Sequence, residues 1–384
     1  MSLPYLHRAQ LILIVAFALA ATSCSSLTKT DRGAASPISI GTVGPLSGDD
    51  AQIGQDMVRG VELAVEELNA HGGVLGRPVQ LVKLDDRADP KEAVSTASRL
   101  AASPDVAAVV GHLNSGCSIP ASVVYHRAHM AMITPVSTQD DLTAQGFDEV
   151  FRVVLRNSEQ GPAAARFAKE KLGAKRVAVV DDKSAYGRGI VAAFRKEAAA
   201  VGLEIVAEDS FNRGDKDFST LVTKLIQARP DIVYAGSMYT EGALLMQQAR
   251  PRGLKATFVS GDGFFAPKLM ELGGKAVEGT TVSFLAPPWN ETPGAEDLLK
   301  RYRDRYGEDV KTYAPLAYDA TMIVAEGIRR AGAADRAAVV KALHSGTFKW
   351  KGIGGVYQFD RNGDITGKAP YFFVVRDGKF EAYR

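Results

Sequence analysis

Residues 106–143, VAAVVGHLNSGCSIPASVVYHRAHMAMITPVSTQDDLT, decide the fold. An apolar run over 106–110 stops at Gly111 and opens into the hydroxyl-bearing turn Asn114-Ser115-Gly116. A helix-like segment follows over 118–129, then a second apolar strand over 131–134, which ends in Pro135-Val136-Ser137-Thr138. Two parallel strands joined by a crossover helix bring both turns to the same edge of one sheet. Their hydroxyls and backbone N–H groups then converge at the start of a helix, where the dipole favours an anion. The stretch contains neither a phosphate-loop lysine nor a glycine fingerprint, so a small carboxylate suits it better than a nucleotide.

Outward from this stretch the same grammar repeats. Apolar runs read as strands at 38–43, 79–84, 106–110, 132–134, 150–155, 177–180, 205–211, 232–235, 257–260 and 280–285. Helical patterns lie between them; in 52–69, Met57, Val61, Ala64 and Leu68 share one face and Gly72-Gly73 supplies the stop. Such alternation implies an α/β protein with parallel sheets covered by helices on both faces. Ten strands exceed one comfortable open sheet, so two doubly wound, Rossmann-like lobes joined by a multi-strand hinge are expected. The first lobe spans 38–156 and the second 157–285. Residues 286–355, opening with the stiff Pro287-Pro288, return to the first, and the C-terminal strands over 356–384 rejoin the second lobe and the hinge. Near the end, helices at 315–331 and 336–343 precede hairpin-like strands around the turn dipeptides Asn362-Gly363 and Asp377-Gly378. Ligands of open α/β sheets bind beyond the carboxyl ends of the strands, and clefts between domains are favoured, so both tendencies point to one interlobe cleft.

The N-terminus addresses the compartment. His7 and Arg8 precede an apolar run over 11–21 and then Thr22-Ser23-Cys24-Ser25-Ser26, which describes a secretory signal over 1–23. That run is too short to span a bilayer, which needs roughly 20 residues. Cys24, directly after Ala21-Thr22-Ser23, resembles the cleavage site of a bacterial lipoprotein. A lipid on Cys24, a polar tether over 24–37 and a place in the periplasm or cell envelope, anchored at the membrane, are expected; the alternative is an ordinary signal peptide cut near Ser23.

Composition and side-chain inventory narrow the function. With 46 basic against 44 acidic residues, no nucleic-acid partner is implied. Only two cysteines exist, so a lipidated Cys24 leaves Cys117 unpaired; it reads as a small buried hydrophobe rather than a nucleophile. His126 and His129 lie three apart without a third metal ligand nearby, and His112 reads as a packed or capping histidine. The pairs Asp85-Asp86, Asp140-Asp141 and Asp181-Asp182 fall at strand ends or helix starts, where acids are favoured or merely solvated. Gly261-Asp262-Gly263-Phe264-Phe265-Ala266 spells a dinucleotide-type pattern, but an aspartate between the glycines would repel a pyrophosphate and Pro267 follows at once. No G-x-S-x-G elbow is present. Neither cofactor, metal nor catalysis is expected.

The chain resembles the periplasmic substrate-binding proteins of branched-chain amino-acid ABC transporters, the leucine/isoleucine/valine-binding type. The matching segments run in order: GTVGPLSGDDAQ at 41–52, Gly72-Gly73, DDRADPKEA at 85–93, GHLNSGCSIPAS at 111–122, MITPVSTQDDLT at 132–143, Phe151-Arg152, Gln160-Gly161-Pro162, DKSAYGRG at 182–189, KDFSTLV at 216–222 and 248–254. The resemblance implies a periplasmic binding protein of type I, a monomer that closes two lobes on a branched-chain or other apolar amino acid and delivers it to a membrane ABC permease. It implies that the ligand carboxylate is held by the hydroxyl and backbone of Ser115 and by Thr138. The α-ammonium would be bound by the carbonyl of Val136, by Thr138 and by Asp262, which stands where relatives carry glutamate. Tyr186 would close over the ligand from the second lobe, and Met238 or Tyr239 would supply a further contact. Leu113, Asn114, Ser137 and Ile53 complete the implied set, Ile53 standing where some relatives have tyrosine. The family disulfide would need cysteines at Ala88 and Asn114, so it is absent.

The chemistry agrees with the resemblance. A zwitterion needs N–H and O–H donors at one end and an anionic acceptor at the other. Ser115 and Thr138 can supply the first and Asp262 the second. Plainer roles are a helix N-cap for Ser115, a turn residue for Thr138 and a solvated turn carboxylate for Asp262. The rival functions are a ligand sensor of the same fold for amides or aromatic acids, and a secreted α/β enzyme.

Overall fold

The computed structural model describes residues 36–383. The expected signal peptide, most of the tether and Cys24 lie outside the described residues. No helix among the described residues is long and apolar enough to cross a membrane.

The first lobe is built on five parallel strands, β1 (Ile38–Gly44), β2 (Val79–Asp85), β3 (Val106–Gly111), β4 (Ala131–Thr134) and β5 (Val150–Arg152), in the order β2-β1-β3-β4-β5. Strands β1, β3, β4 and β5 are buried along their whole length, which is why they read as continuous apolar runs rather than as alternation. Helices α1 (Ala51–Ala70), α2 (Pro90–Ala101), α3 (Ser115–Arg127) and the single turn α4 (Asp141–Ala144) connect them. Helix α2 shows how locally its start is encoded. Asp89 accepts from the N–H groups of Lys91 and Glu92, and Pro90 takes the first position, where a missing N–H costs nothing.

The second lobe repeats the plan with α5 (Asn157–Glu170), β6 (Arg176–Asp181), α6 (Ala185–Ala200), β7 (Glu204–Ser210), α7 (Ser219–Ala228), β8 (Ile232–Gly236), α8 (Tyr239–Ala249), β9 (Thr257–Ser260), α9 (Lys268–Gly273) and β10 (Thr281–Phe284). Three helices follow, α10 (Glu296–Tyr306), α11 (Ala314–Ala331) and α12 (Arg336–Leu343). They lie on the first lobe: α11 packs along α1, and the Arg336 guanidinium donates to the carbonyl of Val106 in β3. After the small ribbon β11 (Trp350–Gly352) and β12 (Gly355–Tyr357), β13 (Tyr371–Arg376) and β14 (Lys379–Ala382) join the second sheet, whose order is β14-β13-β10-β9-β8-β6-β7. The chain thus passes between lobes after β5, after β10 and before β13.

Three elements differ from expectation, one of them β5, which stops at Arg152 rather than running to 155. Helix α3 begins at Ser115 rather than 118, because the carbonyl of Asn114 already accepts from the N–H groups of Cys117 and Ser118. Asp377-Gly378 turns the β13–β14 hairpin, with φ of 48° and 70°, as a primed turn requires. Asn362-Gly363 makes no strand pair beyond one bridge, Phe359 with Ile365. Gly363, at φ +83°, instead presses on β5: its carbonyl accepts from Arg152 N at 2.9 Å, and a Cβ there would stand 2.0 Å from Val150 O.

Candidate functional site

Segments that leave the carboxyl ends of the parallel strands in the two sheets touch one another, and they form the candidate site. In the first lobe the loops and the helix starts they lead into carry Asp49 to Ile53 after β1, Leu113 to Ser115 after β3 and Val136 to Gln139 after β4. Ser137 ties the last two together: its hydroxyl bonds Ser118 Oγ at 2.6 Å and donates to the carbonyl of Leu113 at 2.9 Å. Arg152, fully buried at the end of β5, donates to the carbonyls of Ser137 (3.1 Å) and Gln139 (3.0 Å), on either side of Thr138. Beneath the β3 loop, His112 bonds Asp86 at 2.7 Å and Tyr125 at 3.0 Å, all three buried, while its carbonyl accepts from Thr134 Oγ1. His112 is therefore a packed histidine, as expected. Asp86 and Asp182 are buried, whereas a helix-start or solvated role was expected. The burial of Asp86 is compensated by His112 and the N–H of Ala88.

Ser115 and Thr138 are 2% and 1% exposed. Ser115 lies inside α3 and does not cap it; its Oγ accepts from Gln139 N across the loop at 3.3 Å. The carbonyl of Thr138 accepts from Asn157 N at 2.7 Å, but its Oγ1 finds no hydrogen-bond partner among the described residues. Asn114 donates through Nδ2 to Asp50. Leu113, Val136 and Ile53 are buried beside these loops, Ile53 in the first turn of α1.

From the second lobe, Asp262 follows β9 and is 4% exposed, which removes the solvated-turn reading. Tyr313 donates to its Oδ2 at 3.1 Å, and its Oδ1 finds no partner among the described residues. Burial pushes this carboxyl up to about 6, opposed chiefly by the hydrogen bond from Tyr313. Tyr186, in the first turn of α6, accepts from Gly263 N at 3.0 Å and so lies against the Asp262 turn. Met238 caps α8 with its side chain buried. Tyr239 next to it crosses to the first lobe and donates to the carbonyl of Asp49 at 2.6 Å. Gln139 Nε2 donates to the carbonyl of Ala185, and Arg213 pairs with Asp50, so the lobes meet around Ser115, Thr138 and Asp262.

The expected residues thus fall on facing loops, and several partners escaped sequence reading. Tyr313 has no local motif, since it is placed by Asp56, whose carboxylate accepts the N–H groups of Lys311, Thr312, Tyr313 and Ala314 at the start of α11. Asp50, Asp182, Arg213 and Glu241 each follow a parallel strand, the one signal that could have marked them. Cys117 is buried, and burial holds its thiol far above the ordinary range, so it offers no thiolate. The arrangement supplies hydroxyl donors and a helix start from one lobe and a carboxylate from the other.

Comparison with known proteins identifies a family. Residues 37–379 match the family described as periplasmic binding protein. The chain is 35% identical over 351 residues to a Leu/Ile/Val-binding protein homolog 2 of Brucella abortus, covering 90% of this chain and 93% of the relative. Among solved structures, it is similar to the leucine-binding protein LivK of Thermotoga maritima, with a TM-score of 0.85 and 32% identity over 90% of this chain and 98% of that one. It is likewise similar to the branched-chain amino-acid substrate-binding protein LivJ of Streptococcus pneumoniae, in complex with isoleucine, with a TM-score of 0.84 and 32% identity over the same shares.

Proposed function

We propose, for a chain that belongs to the periplasmic binding protein family, that it is the extracytoplasmic solute-binding protein of an ABC importer and closes its lobes on an α-amino acid. One observation carries this reading: Thr138 Oγ1 and Asp262 Oδ1, buried on opposite lobes, are both unpartnered among the described residues. A hydroxyl beside a helix start suits a carboxylate, and a buried carboxylate suits an ammonium. Ser115 and Thr138 take the ligand carboxylate; the carbonyl of Val136, Thr138 and Asp262 take the ammonium; Tyr186 and Tyr239 close from the second lobe. The relatives' leucine and isoleucine make aliphatic amino acids the first class to test. The lobes we assign are 38–156 with 286–355, and 157–285 with 356–384. Ligand contacts divided between them shift the population toward the closed form, which a permease can recognise.

Removing the hydroxyl of Ser115 or of Thr138 should cost about 1.5–3 kcal/mol of leucine binding each, the range for hydrogen bonds to a charged group. Calorimetry on S115A and T138A should read roughly tenfold to a hundredfold weaker affinity, with the far-ultraviolet spectrum unchanged. Two variants that bind like the parent would move the site elsewhere.

Lipid on Cys24 is part of the same proposal, tethering the protein at the membrane face where its permease lies. C24A should abolish acyl labelling and lipoprotein-type processing and release the protein from the membrane fraction. A parent chain without acyl label, freely released after cleavage, would count against the anchor.

A further inference from the structure

Beyond the groups used above, the cleft contains acceptors that an aliphatic ligand leaves untouched. In the second sheet the strands run β9-β8-β6-β7, and their carboxyl ends carry, in that order, Asp262, Glu241, Asp182 and Arg213. Arg213 Nη2 lies 3.1 and 3.0 Å from the two oxygens of Asp50 in the first lobe, and its Nε lies 3.9 Å from Glu241 Oε1. Glu241 Oε1 also accepts from Gly214 N, Asp182 Oδ1 accepts from Ser184 N, and Asn114 Nδ2 donates to Asp50. Three acceptors remain without a partner among the described residues: Glu241 Oε2, Asp182 Oδ2 and Asn114 Oδ1. Glu241 and Asp182 are each 1% exposed. Buried carboxylate oxygens are costly to leave unbonded, and three carboxylates around one guanidinium leave a negative excess. Adjacent strands lie about 4.8 Å apart, so the segments that carry Glu241 and Asp182 leave the sheet roughly one and two strands from the one that carries Asp262.

We infer that this end of the cleft receives the ligand's side chain and favours side chains ending in N–H or O–H donors over acidic ones, so that the binding range extends beyond aliphatic amino acids. The inference rests on the amino-acid reading above. A site whose acceptors await a donor discriminates strongly against a ligand that cannot supply one, and more strongly still against a second carboxylate.

Two near-isosteric sets test it: leucine, asparagine and aspartate, and methionine, glutamine and glutamate. Calorimetry uses the full mature protein, freed of co-purifying ligand by unfolding and refolding. At least one amide should bind as tightly as its apolar counterpart or more tightly, and each acid at least a hundredfold more weakly than its amide. E241Q and D182N should each lower the ratio of amide to apolar affinity at least fivefold, with circular dichroism confirming the fold. The inference is overturned if leucine or methionine binds while both amides bind more weakly than their apolar counterparts. It is equally overturned if both variants leave the ratio unchanged. Binding of no amino acid at all would sink the amino-acid reading itself, and this inference with it.

Discussion

Asp262→Asn should lower the affinity for an α-amino acid by about 3–5 kcal/mol, roughly two to four orders of magnitude. The substitution keeps the shape of the side chain but leaves the ligand's ammonium without a counter-charge in a site that excludes water. Deaminated analogues such as 4-methylpentanoate lack that ammonium and should bind D262N as well as, or better than, the parent. The position of the carboxyl on the pH scale adds a second readout. Burial holds it at about 6, above the ordinary carboxylate range, so amino-acid affinity should fall as pH drops through about 6, by up to tenfold per unit. D262N should lack this step. The stability of the protein without added amino acid should run the other way. Between about 4 and about 6 the folded chain holds this proton more tightly than the unfolded chain, so its unfolding free energy falls as pH rises through that window. Bound amino acid, which favours the ionised carboxylate, should flatten that slope. Equal affinity of parent and D262N for the same amino acid, with no pH step in either, would remove Asp262 from the site.

Why Asp262 could be proposed from sequence while its partner Tyr313 could not is a matter of range. Parallel strands buried on both faces must be written as unbroken apolar runs, so β1, β3, β8 and their neighbours announce themselves, and the residues that follow them are the candidates. Ser115, Thr138 and Asp262 all stand in that position. Tyr313 reaches Asp262 from 51 residues away, and Arg213 finds Asp50 across 163. Neither pairing leaves a periodicity or a spacing to read. Burial of single acids was equally illegible. Asp86 and Asp182 occupy strand ends that ordinarily face water, and only the packing of α3, α6 and their loops over them makes the difference. The turn at Asn362-Gly363 carried a genuine hairpin signal, but the chain uses its left-handed glycine to approach β5 rather than to pair strands.

That approach brings Asp364 to Arg152, and breaking the pair should give the largest loss of stability. Arg152 is fully buried, with Nε donating to Asp364 Oδ1 at 2.6 Å and Nη2 to Thr143 Oγ1 at 2.6 Å, while Nη1 serves the carbonyls of Ser137 and Gln139. Asp364 is 2% exposed and also accepts from Thr143 Oγ1. D364A strands the buried Arg152 charge, which typically costs about 3–5 kcal/mol, and R152A leaves Asp364 with only the partly exposed Arg156, 3.6 Å from its Oδ2. R152A and D364A should therefore each lower the denaturant midpoint by that equivalent at unchanged slope. The double variant should lose less than the sum, because the second truncation removes the charge that the first left unpaired. R152K should recover little, since an ammonium cannot serve a carboxylate, a hydroxyl and two carbonyls from one plane. The same variants reach the ligand. The two carbonyls that Arg152 holds flank Thr138, so R152A should weaken leucine binding even where the protein remains folded, whereas a purely structural pair would change the midpoint and leave the affinity alone. Calorimetry well below the unfolding transition separates the two, and an R152A midpoint within about 1 kcal/mol of the parent would mean that water or Arg156, rather than Arg152, satisfies Asp364 and the two carbonyls at this end of β5.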